Sequence, residues 1–360
     1  MAKLKTLTTV GALFGIMTFA AHTGAEGDLV PVATLKPALS MDKPVLTPVG
    51  GKLIFSDDPE PFTRPGAFYR DSAEGEFRVF WHHQNQGDSE ATVAVAVTNT
   101  SQETVKLFSK GQGVSTSLYV TEAGQLSLAE FLKTYGRTKS LALLAPGESY
   151  FLDAPTGAGQ TTSGLAQFEA RTQRGNSPAE VQVTVLNYET KPDHPEEAPV
   201  LPARGPQVRG TFPHFDRIGT LTYHTSMGNA YLPIDSAASG KWKDDMPGEY
   251  EKGWNAVDGK EVINNGNYGV LYHWTFDYIN DDGGPKTIKM YLNPPGGSGN
   301  YTLQWKNEIL NSGWLSYVNA WNFKTFTLGA GEREIKVQTS LVGGSAGAQN
   351  LYFTNEPRNG

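Results

Sequence analysis

Along much of the chain, apolar residues recur at every second position over short stretches, the period of half-buried strands. The densest such stretch runs from Pro65-Gly-Ala-Phe-Tyr-Arg-Asp71 into Phe77-Arg-Val-Phe-Trp-His-His-Gln-Asn85. Successive strand residues point to opposite faces, so Phe77, Val79, Trp81 and His83 share a face that reads as core. Arg78, Phe80, His82 and Gln84 share the other, a polar face carrying one aromatic. Similar alternation predicts strands at 52–55, 91–98, 104–110, 141–144, 148–152, 165–171 and 181–187. A second group is expected at 208–212, 220–224, 268–278, 287–291, 301–305, 322–328, 334–339 and 350–353. One stretch has a helical stripe, Leu128, Phe131 and Leu132, with Ser127 as the expected N-cap, Glu130 three residues on, and Gly136 at the end.

Many short strands at this spacing predict a mostly β chain of two antiparallel β-sandwich-like domains, the first with one inserted helix. The expected boundaries are a signal peptide over 1–25, an extended Pro-rich linker over 26–50, and a first β domain over 51–189. A Pro-rich linker over 190–206 and a second β domain over 207–360 complete the division. The linkers are placed by their prolines, Pro31, Pro37, Pro44 and Pro48 in one and Pro192, Pro195, Pro199, Pro202 and Pro206 in the other. Residues 241–267 are polar, rich in Trp and Gly and without a clear period, and are expected as a long surface loop.

Composition sharpens this picture. Gly (40) and Pro (22) make up about a sixth of the 360 residues and charged residues only 19%, which favours turns and short strands over long charged helices. A net charge of −7 argues against nucleic acid as a partner, since phosphate binding needs a basic field. Lys3 and Lys5 precede an apolar core from Val10 to Ala21, with small-residue cleavage sites ending at Ala20 or Ala25. That arrangement predicts export: a secreted, extracellular or cell-surface destination, the periplasm being the other. The apolar core is shorter than a membrane anchor, and no later segment is expected to span a membrane. With no cysteine at all, the chain has no disulfides and no thiolate chemistry. Export without disulfides is expected of a bacterial product more than of an animal one.

Several stretches invite a chemical reading. His82 and His83 are adjacent strand residues that point apart, so they do not jointly ligate one metal ion without a bulge. Thr184-Val-Leu-Asn-Tyr-Glu189 matches the Thr-x-x-Asn-Tyr-Asp/Glu pattern in which copper amine oxidases convert the tyrosine to a quinone. That chemistry needs three histidines, usually including a His-x-His pair, and none occurs here, so the stretch reads as a core strand. Gly343-Gly-Ser-Ala-Gly347 fits the nucleophile-elbow spacing but is followed by a strand pattern, with every histidine upstream, and reads as a glycine turn. Gly296-Gly-Ser-Gly-Asn300 lacks the Lys-Ser/Thr ending of a phosphate loop. Asp277, Asn280, Asp281 and Asp282 are weak candidates for Ca²⁺, their spacing unlike an EF-hand loop. No catalytic residues and no cofactor are expected. Six of seven tryptophans lie in the second half, and Trp242, Trp254 and Trp314, in loop-like contexts, are candidates for stacking on a ligand.

Pro65-Gly-Ala-Phe-Tyr-Arg-Asp71, Arg78-Val-Phe-Trp-His-His-Gln-Asn85, Arg209-Gly-Thr-Phe-Pro213 and Gly266-Asn-Tyr-Gly-Val-Leu-Tyr272 resemble a group of secreted bacterial β-domain proteins. Members of that group often carry an appended copper-amine-oxidase N-terminal-like domain, a non-catalytic module for which residues 26–50 leave too little room. The resemblance implies extracellular or cell-surface β-domains without an established activity, and transfers no amine-oxidase chemistry. The expected function is a non-catalytic structural, adhesive or binding role in the cell envelope or extracellular matrix, with an extracellular protein or polysaccharide as partner. Carbohydrate binding through the loop tryptophans is the alternative. Less favoured is a secreted hydrolase using Asp244, Asp245, Glu249 or Glu251, which requires a cleft holding a carboxylate pair.

Overall fold

A computed structural model describes residues 28–235, 237–240, 243 and 246–355. The expected signal peptide and Trp242, Asp244 and Asp245 lie outside the described residues. Among the described residues the chain is mostly β, with one α-helix and four sheets, a β-sandwich type of fold. No helix among them is long and apolar enough to cross a membrane.

The longest sheet is the wall that the molecule is built on. Its strands lie in the order Lys139–Leu144, Val105–Ser117, Thr161–Thr172, Glu76–Asn85, Leu53–Ser56, Arg209–Phe212, Lys252–Asn255 and Lys260–Ile263, with the short Pro61–Phe62 strand also pairing Glu76–Asn85. Strands from both sides of residues 190–206 therefore share one hydrogen-bonded sheet. The junction is the antiparallel pairing of Arg209–Phe212 with Leu53–Ser56, and the latter in turn runs parallel to Glu76–Asn85. A four-stranded sheet, ordered Ser149–Thr156, Ala91–Thr98, Glu180–Tyr188 and Gly66–Glu74, covers one face of this wall. Phe77, Val79 and Trp81 pack there against Val93, Val95, Val97, Val181, Val183 and Val185.

The opposite face of the wall is buried too. Phe55, Phe80, Leu165 and Phe212 pack into a larger core with Leu128, Phe131 and Leu132 of the helix and with Trp274, Trp305 and Trp321. Two six-stranded sheets enclose that core. One centres on Lys286–Asn293 and Gln349–Thr354, the other on Leu271–Asn280 and Gly331–Thr339. The face of Glu76–Asn85 that alternation marks as polar is thus an interior face. Arg78 and His82 are as inaccessible as Phe80, because a second layer that local pattern does not register closes over them.

Three local expectations need correcting. The helix spans Val120–Thr134 and starts from Tyr119 without a side-chain cap. Ser127 lies inside it and donates to the Gly124 carbonyl at 2.8 Å. The 28–49 stretch is extended but paired: Leu29–Pro31 lies along Asn319–Leu328, Leu39–Ser40 along Ala230–Ile234, and Thr47–Val49 along Asp216–His224. The 241–267 stretch contains a hairpin, Lys252–Asn255 with Lys260–Ile263.

Buried arginines join the layers. Arg78 forms a 2.7 Å ion pair with Asp216 and donates to Gln167 Oε1 and to the carbonyls of Phe215 and Gly269. Its guanidinium also lies 4.5 Å from the Phe215 ring centroid. Arg217 pairs with Glu251 at 2.9 Å, and Arg209 donates to the carbonyls of Phe68 and Leu201.

Candidate functional site

A cleft of about 540 Å³ opens where the wall meets the second half of the chain. Five separated segments line it: the 56–61 turn with Asp57 and Glu60, His82 of the wall, residues 206–208, the 263–268 loop with Tyr268, and the 344–346 loop. Val120 at the start of the helix and Ser298 complete the rim. The volume lies within the usual range for small-molecule sites.

The turn is placed from both ends. Leu53–Ser56 runs into it from the wall, the Asp57 amide donates to the Val208 carbonyl at 3.1 Å, and the Gln84 amide donates to the Glu60 carbonyl at 2.7 Å. Gln207 Nε2 donates to Glu60 Oε2 at 2.6 Å and orients that carboxyl. Glu60 Oε1 faces His82 Nε2 at 3.8 Å, beyond hydrogen-bonding distance. Both His82 ring nitrogens and Asp57 Oδ1 are buried without a hydrogen-bond partner. Gly343 lies against the imidazole, and a Cβ there would sit 2.1 Å from His82 Nδ1.

Electrostatics follow from this enclosure. Burial, with the nearby Glu60 and Asp58 charges adding to it, raises the Asp57 carboxyl well above its ordinary value. Burial likewise raises Glu60, and the Gln207 hydrogen bond opposes that shift. Burial holds the His82 imidazole down to about 4, so it is neutral near pH 7. Tyr268, which donates its hydroxyl to the Ser345 carbonyl at 2.7 Å, is raised by burial and by Asp57 and Asp235.

The adjacent histidines separate as strand alternation requires. His83 stacks on Phe68 with centroids 3.6 Å apart. Its Nδ1 lies 2.9 Å from the Pro59 carbonyl, which only accepts, so Nδ1 carries the proton and Nε2 accepts from Ser56 Oγ at 3.0 Å. Burial pushes this imidazole down to about 3. His83 is a structural residue and His82 lines the cleft.

The remaining candidates are dispersed. Trp254 and Trp314 are 55% and 60% exposed, on strands instead of loops. Alternation turns Trp254 outward while Gly253 and Asn255 face inward. Trp314 pairs in register with Asn300, which accepts from Thr121 Oγ1 at 2.6 Å, so this tryptophan stands beside the helix start, near the exposed Tyr119. Trp274, Trp305 and Trp321 are core residues.

Glu251 is held by Arg217 and by His214 at 2.8 Å. Glu249 is fully buried, accepting from Tyr272 at 2.9 Å and from the Asp235 amide at 2.9 Å, and it does not line the cleft. Asn280 ties down the carbonyls of Gly284 and Gly329, Asp281 accepts from Ser226, and Asp282 pairs with Lys286. Among the described residues no three His, Asp or Glu side chains are grouped so as to hold a metal ion. Tyr188 donates to Asp153 at 2.7 Å as part of its strand. Ser345 Oγ donates to the Asn300 carbonyl at 2.9 Å and accepts from the Asn300 amide at 3.1 Å, in a turn with no helix after it.

Sequence reasoning did not single out Asp57, Glu60 or Tyr268. The available signal was three carboxylates within Ser56-Asp-Asp-Pro-Glu-Pro61, a turn between two apolar strands.

The fold and cleft define a multi-sheet β protein with an acidic, solvent-reached cleft. No protein-family model matches the chain, and no curated protein matches it. Among solved structures, Lac15 from a marine microbial metagenome aligns over 86% of this chain and 63% of its own at 10% identity and a TM-score of 0.13. A multicopper oxidase from Campylobacter jejuni, described as a metallo-oxidase, aligns over 73% of this chain and 47% of its own, with 8% identity and a TM-score of 0.12. The tandem CBM22-1–CBM22-2 domain of Paenibacillus barcinonensis Xyn10C aligns over 93% of this chain and 92% of its own, with 10% identity and a TM-score of 0.16. This chain thus spans less than two thirds of the first two proteins' aligned chains. At these TM-scores, none of the three bears on function.

Proposed function

We propose that this is an exported, non-catalytic binding protein of the bacterial cell envelope or its surroundings, and that the cleft at Asp57, Glu60 and His82 is where it takes a small polar ligand. The observation that carries this reading is a cleft of about 540 Å³ whose buried Asp57 Oδ1 and His82 nitrogens have no partner within the protein. Leaving such groups unpaired costs about 1–3 kcal/mol each, a cost that a complementary ligand offsets. Export rests on the Lys3/Lys5 and Val10–Ala21 pattern. A non-catalytic role is supported by Ser345 and His83, whose reactive atoms are taken up by internal hydrogen bonds.

A small-molecule library screened by ligand-observed NMR tests the reading, with His82→Gln and Asp57→Asn as site variants. Hits whose binding both substitutions weaken support it. Hits indifferent to both, or no hits, overturn it.

One observation favours a second reading. Asp57 and Glu60 bring two carboxyls into one cleft, as a hydrolase requires. Product formation from chromogenic glycosides, abolished by Asp57→Asn, is the result expected of an enzyme. Stacking of carbohydrate on Trp254 and Trp314 is tested separately. Trp254→Ala and Trp314→Ala are expected to change stability by about 0.5 kcal/mol or less, as at other exposed sites, so a lost polysaccharide pull-down reports binding and not unfolding.

A further inference from the structure

Most of the polar groups left over in the cleft are acceptors, although a neutral His82 also keeps one N–H. Its hydrogen-bond donors are largely used internally: the Tyr268 hydroxyl on the Ser345 carbonyl, a Gln207 amide hydrogen on Glu60, and an Asn264 amide hydrogen on the Tyr268 carbonyl. Acceptors remain. Asp57 Oδ1 has no partner, Glu60 carries a carboxyl oriented from one side only, and a neutral His82 leaves one ring nitrogen able to accept.

None of the described residues lining the cleft is Lys or Arg, so nothing among them balances the two carboxyls. Aromatic surface lies in the same wall. Phe55 and Tyr268 line the cleft, their rings set by Phe80 at centroid distances of 4.8 Å from Phe55 and 6.5 Å from Tyr268. A bare divalent ion finds no group of three His, Asp or Glu to hold it among the described residues.

Resting on the binding reading above, we propose that the ligand is a small organic cation, a primary alkylammonium group. Asp57, Glu60 and His82 hold its nitrogen, and Phe55 and Tyr268 flank its alkyl part. An ammonium supplies up to three donors where the site offers acceptors, and its charge turns the mutual repulsion of two enclosed carboxyls into attraction. Aromatic faces beside a partly desolvated cation add to this. Neutral polyols satisfy the acceptors but not the charge, and carboxylates are repelled.

The test titrates the full chain with n-propylammonium, with glycerol as the neutral probe and propionate as the anionic one, by saturation-transfer NMR and by shift in the thermal midpoint. For so small a probe the expected dissociation constant is in the millimolar range. Glycerol and propionate are expected to bind at least tenfold more weakly. Asp57→Asn and Glu60→Gln are each expected to weaken ammonium binding tenfold or more, with circular dichroism confirming that both variants fold. Should a variant fail to fold, the ranking of the three probes on the unmodified chain still decides.

Ammonium binding unaltered in both folded variants overturns the proposal. Preferential glycerol or propionate binding overturns the cation while leaving the cleft a ligand site. No binding by any probe, together with an empty library screen, overturns both readings.

Discussion

Arg78 ties the longest sheet to the second half of the chain, and replacing it by methionine gives a quantitative test. The guanidinium is fully buried and meets Asp216 at 2.7 Å, with that carboxylate itself 8% exposed. Arg78→Met keeps much of the volume but removes the ion pair and the donors to Gln167 and to the Phe215 and Gly269 carbonyls. Asp216 is then left buried with His273 at 2.9 Å and Tyr135 at 3.4 Å. Breaking a buried pair by removing one member costs about 3–5 kcal/mol, because the charge left behind stays desolvated. The double variant Arg78→Met/Asp216→Asn is expected to recover at least half of that loss.

Urea unfolding at pH 7, followed by tryptophan fluorescence and far-ultraviolet circular dichroism, measures both. The two signals are expected to change together, because one sheet belongs to both cores. The deficit also has a pH signature. Burial pushes the Asp216 carboxyl up, and Arg78 and His273 more than reverse this, leaving it below its ordinary value. Its stabilising contribution is therefore present above the unfolded value of about 4 and lost as pH falls through the folded one. The deficit of the single variant should accordingly narrow in acid. A single variant within about 1 kcal/mol of the unmodified protein at pH 7 refutes the reasoning.

The other predictions concern the cleft. The raised Asp57 carboxyl contributes stability below its ordinary value and loses it as pH rises through the raised one, so Asp57→Asn should melt higher than the unmodified chain at pH 8 and converge with it near pH 4. A lower melting point for the variant at pH 8 contradicts this. His82, held down to about 4, contributes stability above about 6.5 that is lost as pH falls through its folded value. His82→Gln should therefore flatten the stability–pH slope between those limits by at most about 1.4 kcal/mol per pH unit, one proton's worth; an unchanged slope in urea titrations counts against it. Gly343→Ala drives a Cβ onto the His82 ring and should cost about 1–3 kcal/mol, as overpacking does. In a His82→Ala background that cost should largely disappear, and a cost of the same size there shows that the collision is not its cause.

How much of this was legible beforehand differs between fold and site. Alternation alone marks Phe77, Val79 and Trp81 as one core face, and they pack as such. The Val181-Val183-Val185 pattern likewise predicts a core strand, and Glu180–Tyr188 is one. The mostly β class follows from composition and period, because both are local properties of the backbone. Pairing partners are not local. Nothing in residues 208–212 announces that they continue the sheet begun by 53–56, yet that junction makes one wall of two halves. Nor does the pattern of Arg78 and His82 reveal that a second layer covers them, since a buried ion pair and a solvated charge look alike in one dimension. The site shows the same limit more sharply. Asp57, Glu60, His82, Tyr268 and the 344–346 loop lie far apart along the chain, and only packing of the second half against the wall brings them around one cleft. The sequence by itself marked many of the strands and the core face of Phe77, Val79 and Trp81, through the two-residue period of the backbone. Tertiary structure alone decided which polar groups ended up enclosed without partners, because burial depends on what closes over a residue and not on its neighbours in the chain.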